Sequence, residues 1–161
     1  MHAAIDTQRD LPPDLGALYD AEGARLWRAV YAYARDRDVA SDAVAEAFAQ
    51  CLRRGDAVRD PRAWVWRSAF RIAAGELKRR GTLTHDVPER SYEMELDAAE
   101  ALVETLGRLS PTQRAVVLLR HYAGEPTDVI AATLGMSRAT VRVHLYRARV
   151  RLAALLEEDE G

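Results

Sequence analysis

Cysteine is almost absent from this chain of 161 residues, and the single Cys51 cannot form an internal disulfide or a cysteine-ligated zinc site. The four histidines are far apart in sequence and have no metal-ligand spacing, so no metal site is predicted. The sequence also lacks a glycine-rich phosphate-binding loop and any serine or cysteine in a nucleophile context. These absences predict a protein that is not an enzyme and has no cofactor.

Long apolar runs are missing as well. No segment approaches the roughly 20 apolar residues that span a bilayer, and Met1–Arg9 has no signal-peptide core, so we expect a cytosolic protein. Apolar residues make up 48% of the chain and charged residues 30%, which is enough to bury a core. No segment alternates apolar and polar residues with a period of two. We therefore predict an all-α fold of two small helical domains.

Charge is close to balanced along the whole chain but is strongly segregated. Residues 51–80 hold nine basic residues against three acids, and residues 81–110 hold seven acids against two arginines. Residues 111–156 are basic again, with seven arginines against two acids. Any one block has an ordinary explanation as a solvated helix face. Two basic blocks on helical patterns, flanking an acidic one, favour two polyanion-binding surfaces.

Capping signals predict where the first three helices begin and end. An apolar stripe predicts a helix within Asp14–Arg35. A second helix can be capped by Asp38 or by Ser41. Asp60, followed by proline, is a strong start signal for a third helix, which Gly81 ends.

The second half of the chain has its own helix signals. Ser110, proline and Gln113 form a capping box, Thr127–Leu134 is a short helix, and Ser137 caps a last helix that ends near Leu156. A helix before the capping box is expected to turn five side chains inward: Met94, Ala98, Leu102, Leu106 and Leu109. The predicted organisation is a flexible N-terminus (1–13), a first domain (14–80), a linker (81–91), a second domain (92–156) and an acidic tail (157–161).

Residues 127–142 have the layout of a helix-turn-helix. Ala131 is a small residue that faces the partner helix, and Gly135, four residues later, supplies the left-handed turn. Burial of Val141 then leaves the N-terminal side chains of the second helix in solvent, where a recognition helix meets base edges. These side chains are Arg138, Ala139, Thr140, Arg142, Val143 and His144. Arg147 and Arg149 lie further along and suit phosphate contacts. The alternative is a helical hairpin with an exposed arginine-rich face.

The third helix offers a second basic surface. Arg67, Arg71 and Lys78 recur on one face, and Trp64 lies one turn before Arg67. Cations beside an indole suit single-stranded or distorted nucleic acid, because the cations contact phosphates and the ring stacks on a base. Taken alone, Trp64 is more often a core residue. A second stripe on this helix, which includes Trp66, is predicted to be core.

These residues resemble a bacterial RNA polymerase sigma factor of the extracytoplasmic-function (ECF) group, within the sigma-70 family. The passages 18–28, 38–48 and 60–67 are similar to region two of that group, the last through the pattern Pro-x-Ala-Trp. The passages 109–114 and 130–149 are similar to region four, which is the more specific match. The resemblance implies a transcription initiation factor whose partners are core RNA polymerase, promoter DNA and an anti-sigma factor.

The resemblance also implies residue roles. Asp42, Glu46 and Phe48 match the part of region two that docks on the clamp helices of the largest polymerase subunit. The recognition helix matches the reader of the −35 element in region four, which also touches the flap of the second-largest subunit. The element that captures an unstacked base of the −10 region matches the loop 55–60 and the helix after it, with Arg59, Arg62, Trp64, Arg67, Arg71 and Lys78.

Three positions depart from the pattern of the group. The group usually has glutamine where this chain has Ala45, asparagine where it has Arg71, and aspartate near Gly75. An arginine in place of an amide exchanges base-edge hydrogen bonding for charge. Two alternatives therefore stay open: a stand-alone helix-turn-helix regulator, and a sigma-like decoy that binds partners without initiating transcription.

Overall fold

A computed structural model describes residues 15–81 and 98–160 of the chain, and every regular element in these two ranges is helical. The helices are α1 (Leu15–Ala34), α2 (Arg37–Arg54), α3 (Pro61–Arg80), α4 (Ala98–Leu106), α5 (Pro111–Val117), α6 (Thr127–Leu134) and α7 (Arg138–Glu160). A 3₁₀ turn at Gly55–Ala57 follows α2, and a π-helical turn at Leu118–Tyr122 continues α5. The all-α prediction is confirmed. None of the helices in the described ranges is both long and apolar enough to cross a membrane.

The start of α2 differs from the prediction. Asp36 is its N-cap, and the Oδ1 atom of Asp36 accepts a hydrogen bond from the backbone N–H of Val39 at 3.0 Å. The connection after α1 is short because Arg35 adopts a left-handed φ of 57°, which ends α1 and brings Asp36 directly to the cap position. The predicted caps Asp38 and Ser41 were therefore wrong. The hydroxyl of Ser41 instead accepts from the indole Nε1 of Trp27 at 3.0 Å.

The other helix starts agree with the sequence signals. Asp60 caps α3 through the backbone N–H of Ala63, and Ser110 and Gln113 form the reciprocal capping box of α5. Gly81 ends α3 with a left-handed φ of 67°. The predicted end of the last helix near Leu156 is wrong, because α7 continues through Glu160. Its last turns contain alanine, leucine and glutamate, which favour helix, and an ion pair of 3.2 Å joins Glu158 to Arg108.

The helices form two groups, which we call the N-terminal bundle (α1–α3) and the C-terminal group (α4–α7). Large buried side chains such as Leu26, Trp66 and Phe70 fill the N-terminal bundle, and the thiol of Cys51 is buried there with them. Leu119, Ile130 and Val141 fill the C-terminal group. Each fully buried large side chain stabilises the fold by about 1.5–3 kcal/mol, so both groups have a real core.

The helix before the capping box is only partly as predicted. Leu106 and Leu109 are buried, but Leu102 is 55% exposed, so its inward orientation was a wrong prediction. Leu102 follows the helical period, but no neighbouring helix covers it in the described chain. Met94, the predicted linker (81–91) beyond Gly81, the predicted start of the second domain at residue 92 and the N-terminus 1–13 lie outside the described residues. The domain limits stay a prediction.

The two groups pack against each other. Helix α1 contacts α4, α5 and the π-helical turn, and α3 contacts α6. Buried residues of both groups form one continuous hydrophobic cluster.

Candidate nucleic-acid interface

A helix-turn-helix is present at residues 127–160. Gly135 ends α6 with a left-handed φ of 68°, and the backbone N–H of Met136 donates a hydrogen bond to the carbonyl of Ala131 at 3.0 Å. Ala131 is buried, as a small residue must be for close packing of α6 on its neighbours. The hydroxyl of Ser137 then caps α7 by accepting from the backbone N–H of Thr140 at 3.1 Å.

Burial of Val141 fixes the rotation of α7 about its axis. The side chains before and after it that point to solvent are Arg138, Ala139, Thr140, Arg142 and Val143. His144 differs from the prediction, because it is half-buried and its Nδ1 atom is buried without a hydrogen-bond partner. The exposed N-terminal face of α7 therefore consists of the other five predicted residues.

The rest of α7 is strongly cationic. Arg147, Arg149 and Arg151 are exposed, and the sequence from Arg138 to Leu156 contains no acidic residue. Tyr146 is 67% exposed and Val150 is 52% exposed, and both follow Val143 at helical spacing. This exposed apolar row was not predicted, although its spacing of three and four residues is visible in the sequence.

Helix α3 carries the second cationic surface. Arg71 and Lys78 are exposed, and Trp64 and Arg67 are half-buried. The guanidinium of Arg54 lies 5.8 Å from the centre of the Trp64 ring, at cation–π distance, so this indole already has a cation beside it. Arg59 is exposed in the loop before α3.

Arg62 is directed away from this surface. Its Nε atom donates to Oε1 of Glu22 at 2.8 Å, and its guanidinium lies 5.7 Å from the ring of Trp66. The structure thus brings together Trp64, Arg67, Arg71 and Lys78 on α3, and places Arg62 against α1.

A third surface lies on α2. Asp42 and Glu46 are exposed, and Glu46 accepts hydrogen bonds from Gln50 at 3.1 Å and Arg53 at 2.9 Å. The hydrogen bond from Gln50, with that from Arg53, lowers the pKa of the Glu46 carboxyl group. Phe48 is buried and meets Tyr19 edge to face, with ring centres 5.1 Å apart. The buried ring of Phe48 therefore packs beneath the exposed ring of Tyr19 on α1.

Two grooves accompany these surfaces. One groove of about 620 Å³ lies between α1 and α2, and its lining includes Tyr19, Trp27 and Ala45. The other, of about 260 Å³, lies between the π-helical turn and α7, with Leu145 and Leu152 in its lining. Neither groove was predicted from the sequence, because each forms between helices. Within residues 15–81 and 98–160, no group of three metal-binding side chains is close enough to hold an ion.

Comparison with known proteins gives a consistent result. The family described as Sigma-70, region 4 matches residues 99–152, which include α6 and most of α7. The chain is 33% identical to the ECF RNA polymerase sigma factor SigL of Mycobacterium tuberculosis over 161 residues, covering 88% of each chain. It is 33% identical to the RNA polymerase sigma-E factor of Streptomyces avermitilis, covering 98% of this chain and 81% of that protein.

A solved structure of CnrH in complex with the cytosolic domain of CnrY superposes with a TM-score of 0.63 and 26% identity, covering 90% of this chain and 88% of that chain. The relatives named above are sigma factors and not enzymes. Because the identity to SigL extends over 88% of both chains, this chain belongs to the ECF family of RNA polymerase sigma factors.

Proposed function

We propose that this protein binds core RNA polymerase, directs it to specific promoters through a −10 and a −35 element, and assists promoter opening. The observation that carries the proposal is the presence of two cationic surfaces of different character on separate helices. One lies at the exposed start of a recognition helix, and the other lies beside a half-buried indole. A factor that both reads duplex and captures unpaired strand needs both surfaces.

The exposed start of α7 is assigned to the −35 element. Arg138, Thr140 and Arg142 can donate hydrogen bonds to base edges in the major groove, and the methyl groups of Ala139 and Val143 suit thymine. Arg147 and Arg149 lie one to three turns further along the helix and are assigned to phosphates, which position the helix without specifying sequence. His144 takes a structural role because its Nδ1 atom is buried.

The surface on α3 is assigned to the −10 region. Arg67, Arg71 and Lys78 neutralise phosphates, and Trp64 stacks on an unpaired base after displacing its contact with Arg54. Arg59 joins them from the preceding loop, and Arg62 joins once it leaves Glu22. Promoter opening then needs no external source of energy, because each base that unpairs is held on the protein.

Docking on the polymerase is assigned to two places. Asp42 and Glu46, beside the groove between α1 and α2, face the clamp helices of the largest subunit, with Phe48 supporting Tyr19 from below. Ala45 leaves this groove wider than a longer side chain would. The apolar groove beside α7 receives the flap of the second-largest subunit. The protein then acts in the cytoplasm, where the polymerase is, and has no catalytic activity of its own.

An anti-sigma factor is the remaining proposed partner. CnrH, which this chain resembles over most of its length, is bound to the cytosolic domain of CnrY in the solved complex. A partner that covers the surfaces on α2, α3 or α7 would compete with polymerase and DNA.

Run-off transcription with core polymerase on a library of promoter fragments from the host tests the proposal. Start sites are expected only when the protein is present, and they should vanish when the spacing between the −10 and −35 elements is altered. Core binding is measured separately. Tight binding of free protein to duplex DNA without core binding would instead identify a stand-alone regulator, and core binding without initiation would identify a decoy.

A further inference from the structure

Gly75 lies inside the cationic surface of α3. Arg71 precedes it by four residues and Lys78 follows it by three, so the three positions share one face of the helix. Arg67 and Trp64 continue the same face in the preceding turns. Gly75, Arg71 and Lys78 are all exposed. The row of long side chains is therefore interrupted at one position, where the backbone of α3 is bare.

The fold does not require glycine at this position. Gly75 lies within an α-helix and its φ is not left-handed, so the backbone conformation suits alanine equally well. Among the described residues, a Cβ atom at this position would meet no atom within 4 Å. Glycine is also a poor helix former, because its backbone loses more freedom on folding than that of alanine. Gly75 thus weakens α3 without relieving any crowding inside the described chain.

Two other glycines show what such a requirement looks like. Gly135 has a left-handed φ of 68°, which a Cβ atom would strain. Gly23 is buried in α1, where a Cβ atom would lie 3.4 Å from the ring of Tyr19. Gly75 has neither a special φ nor a close neighbour. The remaining use of a helical glycine is the close approach of a molecule from outside.

The charges around the bare position suit an anion. Glu76 is the only acidic residue of α3, and it is paired with Arg79 and, at 3.0 Å, with Arg80. Within the described ranges, no ion pair engages Arg71 or Lys78. These two cations are seven residues apart, or about 10.5 Å along the helix axis, with the bare backbone between them. An anionic chain that binds both of them must pass over the glycine.

We infer that a single strand of DNA lies directly against the backbone of α3 at Gly75, between a phosphate held by Arg71 and another held by Lys78. The inference rests on the proposed function of α3 and goes beyond it, because two cations by themselves do not fix how closely the strand approaches. The N–H groups of a helix interior are already bonded within the helix, so the contact at Gly75 is van der Waals packing against sugar and phosphate.

This inference gives Gly75→Ala two effects of opposite sign. The new methyl group should stabilise α3 and yet hold the strand away from it, which weakens strand binding roughly tenfold. A purely structural role for Gly75 would move stability and binding together. Thermal unfolding and strand binding of the same variant separate these two cases.

Gly75→Lys is the sharper variant. If α3 attracts the strand through charge alone, an additional cation should tighten binding and steepen its salt dependence. Close approach at Gly75 predicts weaker binding in spite of the added charge. Ala101→Lys is the matched control, because Ala101 is an exposed helical residue on α4 and receives the same side chain away from α3. Lysine is a good helix former, so both variants should fold.

The measurement is binding of a short fluorescent single-stranded DNA of mixed sequence to the complex of the full chain with core polymerase. Core polymerase alone is the reference, and fluorescence anisotropy at several salt concentrations gives the affinities. We expect wild type and Ala101→Lys to bind alike, and Gly75→Ala and Gly75→Lys to bind more weakly. Each variant's affinity for core polymerase is measured separately and should match that of the wild type.

Three results would overturn the inference and leave the proposed function intact. These are wild-type strand affinity of Gly75→Ala, equal or tighter strand binding by Gly75→Lys, and a loss of thermal stability in Gly75→Ala that accompanies weaker binding. A wild-type complex that binds the strand no better than core polymerase alone would contradict the assignment of α3 to the −10 region, and the inference with it.

Discussion

The Nε atom of Arg114 lies 3.0 Å from the carbonyl oxygen of Tyr33, so a side chain of α5 holds the end of a helix 81 positions earlier. Arg114 is 7% exposed, and its Nη1 atom also donates to the carbonyl of Leu109 at 2.8 Å. Burial lowers the pKa of Arg114 to about 10, which leaves it charged at neutral pH. The planar guanidinium has several N–H donors and bonds two separate carbonyls at once, whereas the ammonium group of a lysine does this poorly.

Arg114→Lys is therefore expected to destabilise the protein. One of the two carbonyls loses its partner in a buried site, which costs about 1–3 kcal/mol. Urea unfolding measures the change. Arg108→Lys is the matched control, because Arg108 is exposed and a lysine can keep the ion pair with Glu158, so a change within about 0.5 kcal/mol is expected there. Equal stability of the two variants would refute the role of Arg114.

Tyr33→Phe should change the response to alkaline pH. Burial raises the pKa of the Tyr33 phenol above its ordinary value of 10.0, although the charge of Arg114 opposes this. A raised pKa in the folded state means that this stabilisation is complete below pH 10.0 and is lost as the pH rises through the folded value. The wild type should lose stability above pH 10 more steeply than Tyr33→Phe. Parallel unfolding curves from pH 8 to about pH 11 would contradict this.

Arg142→Ala should weaken discrimination of the −35 element. If Arg142 contacts a base, its loss costs about 1–3 kcal/mol on the specific site and relaxes specificity at one position. Arg147→Ala is the comparison, since loss of a phosphate contact weakens binding uniformly across sequences. Competition between promoter and random DNA for the polymerase complex separates the two. Equal loss on both DNAs for Arg142→Ala would rule out base reading.

Glu46→Lys should impair docking on core polymerase without unfolding the protein, because Glu46 is exposed on α2. A reversed charge on a complementary surface is expected to weaken binding roughly tenfold. Glu157→Lys, an exposed position on α7, serves as the control. Core affinities of Glu46→Lys and wild type that agree would remove Glu46 from the docking surface.

Gly135→Ala and Gly75→Ala should move stability in opposite directions. Neither new Cβ atom meets a neighbour within 4 Å, but Gly135 has a left-handed φ of 68°. Alanine at 135 is strained and should cost about 1–2 kcal/mol, whereas alanine at 75 should stabilise α3 by about 0.5–1 kcal/mol. Thermal unfolding of both variants checks this. A stabilised Gly135→Ala would show that the turn between α6 and α7 tolerates another conformation.

Local signals made most of the fold predictable. Asp60, Ser110 and Gly135 act within three or four residues of themselves, so the sequence shows both the residue and its effect. Asp36, rather than Asp38, caps α2 because Arg35 adopts a left-handed backbone conformation. No capping pattern in the sequence predicts that conformation. The N-terminal face of α7 was predictable because one buried position, Val141, fixes its rotation.

Long-range packing was not predictable in this way. Leu102 follows the helical period of α4, and only the placement of the other helices leaves it exposed. His144 has the right spacing for a recognition helix, but in the folded chain its Nδ1 atom is buried without a hydrogen-bond partner. The contacts of Arg25, Arg35 and Arg114 join residues 68 to 97 positions apart, so no local sequence pattern predicts them.

The π-helical turn at Leu118–Tyr122 absorbs one residue within a helical path. A π turn accommodates one residue more than an α-helix over the same path. Deleting a single residue such as Arg120 should therefore leave an uninterrupted α-helix and keep the side chains beyond the turn in register, whereas the same deletion inside a regular α-helix would rotate them by about 100° around the axis. In relatives of this protein, a gap of one residue at this point is therefore expected to replace the π turn with α-helix and to preserve the packing of the residues that follow it.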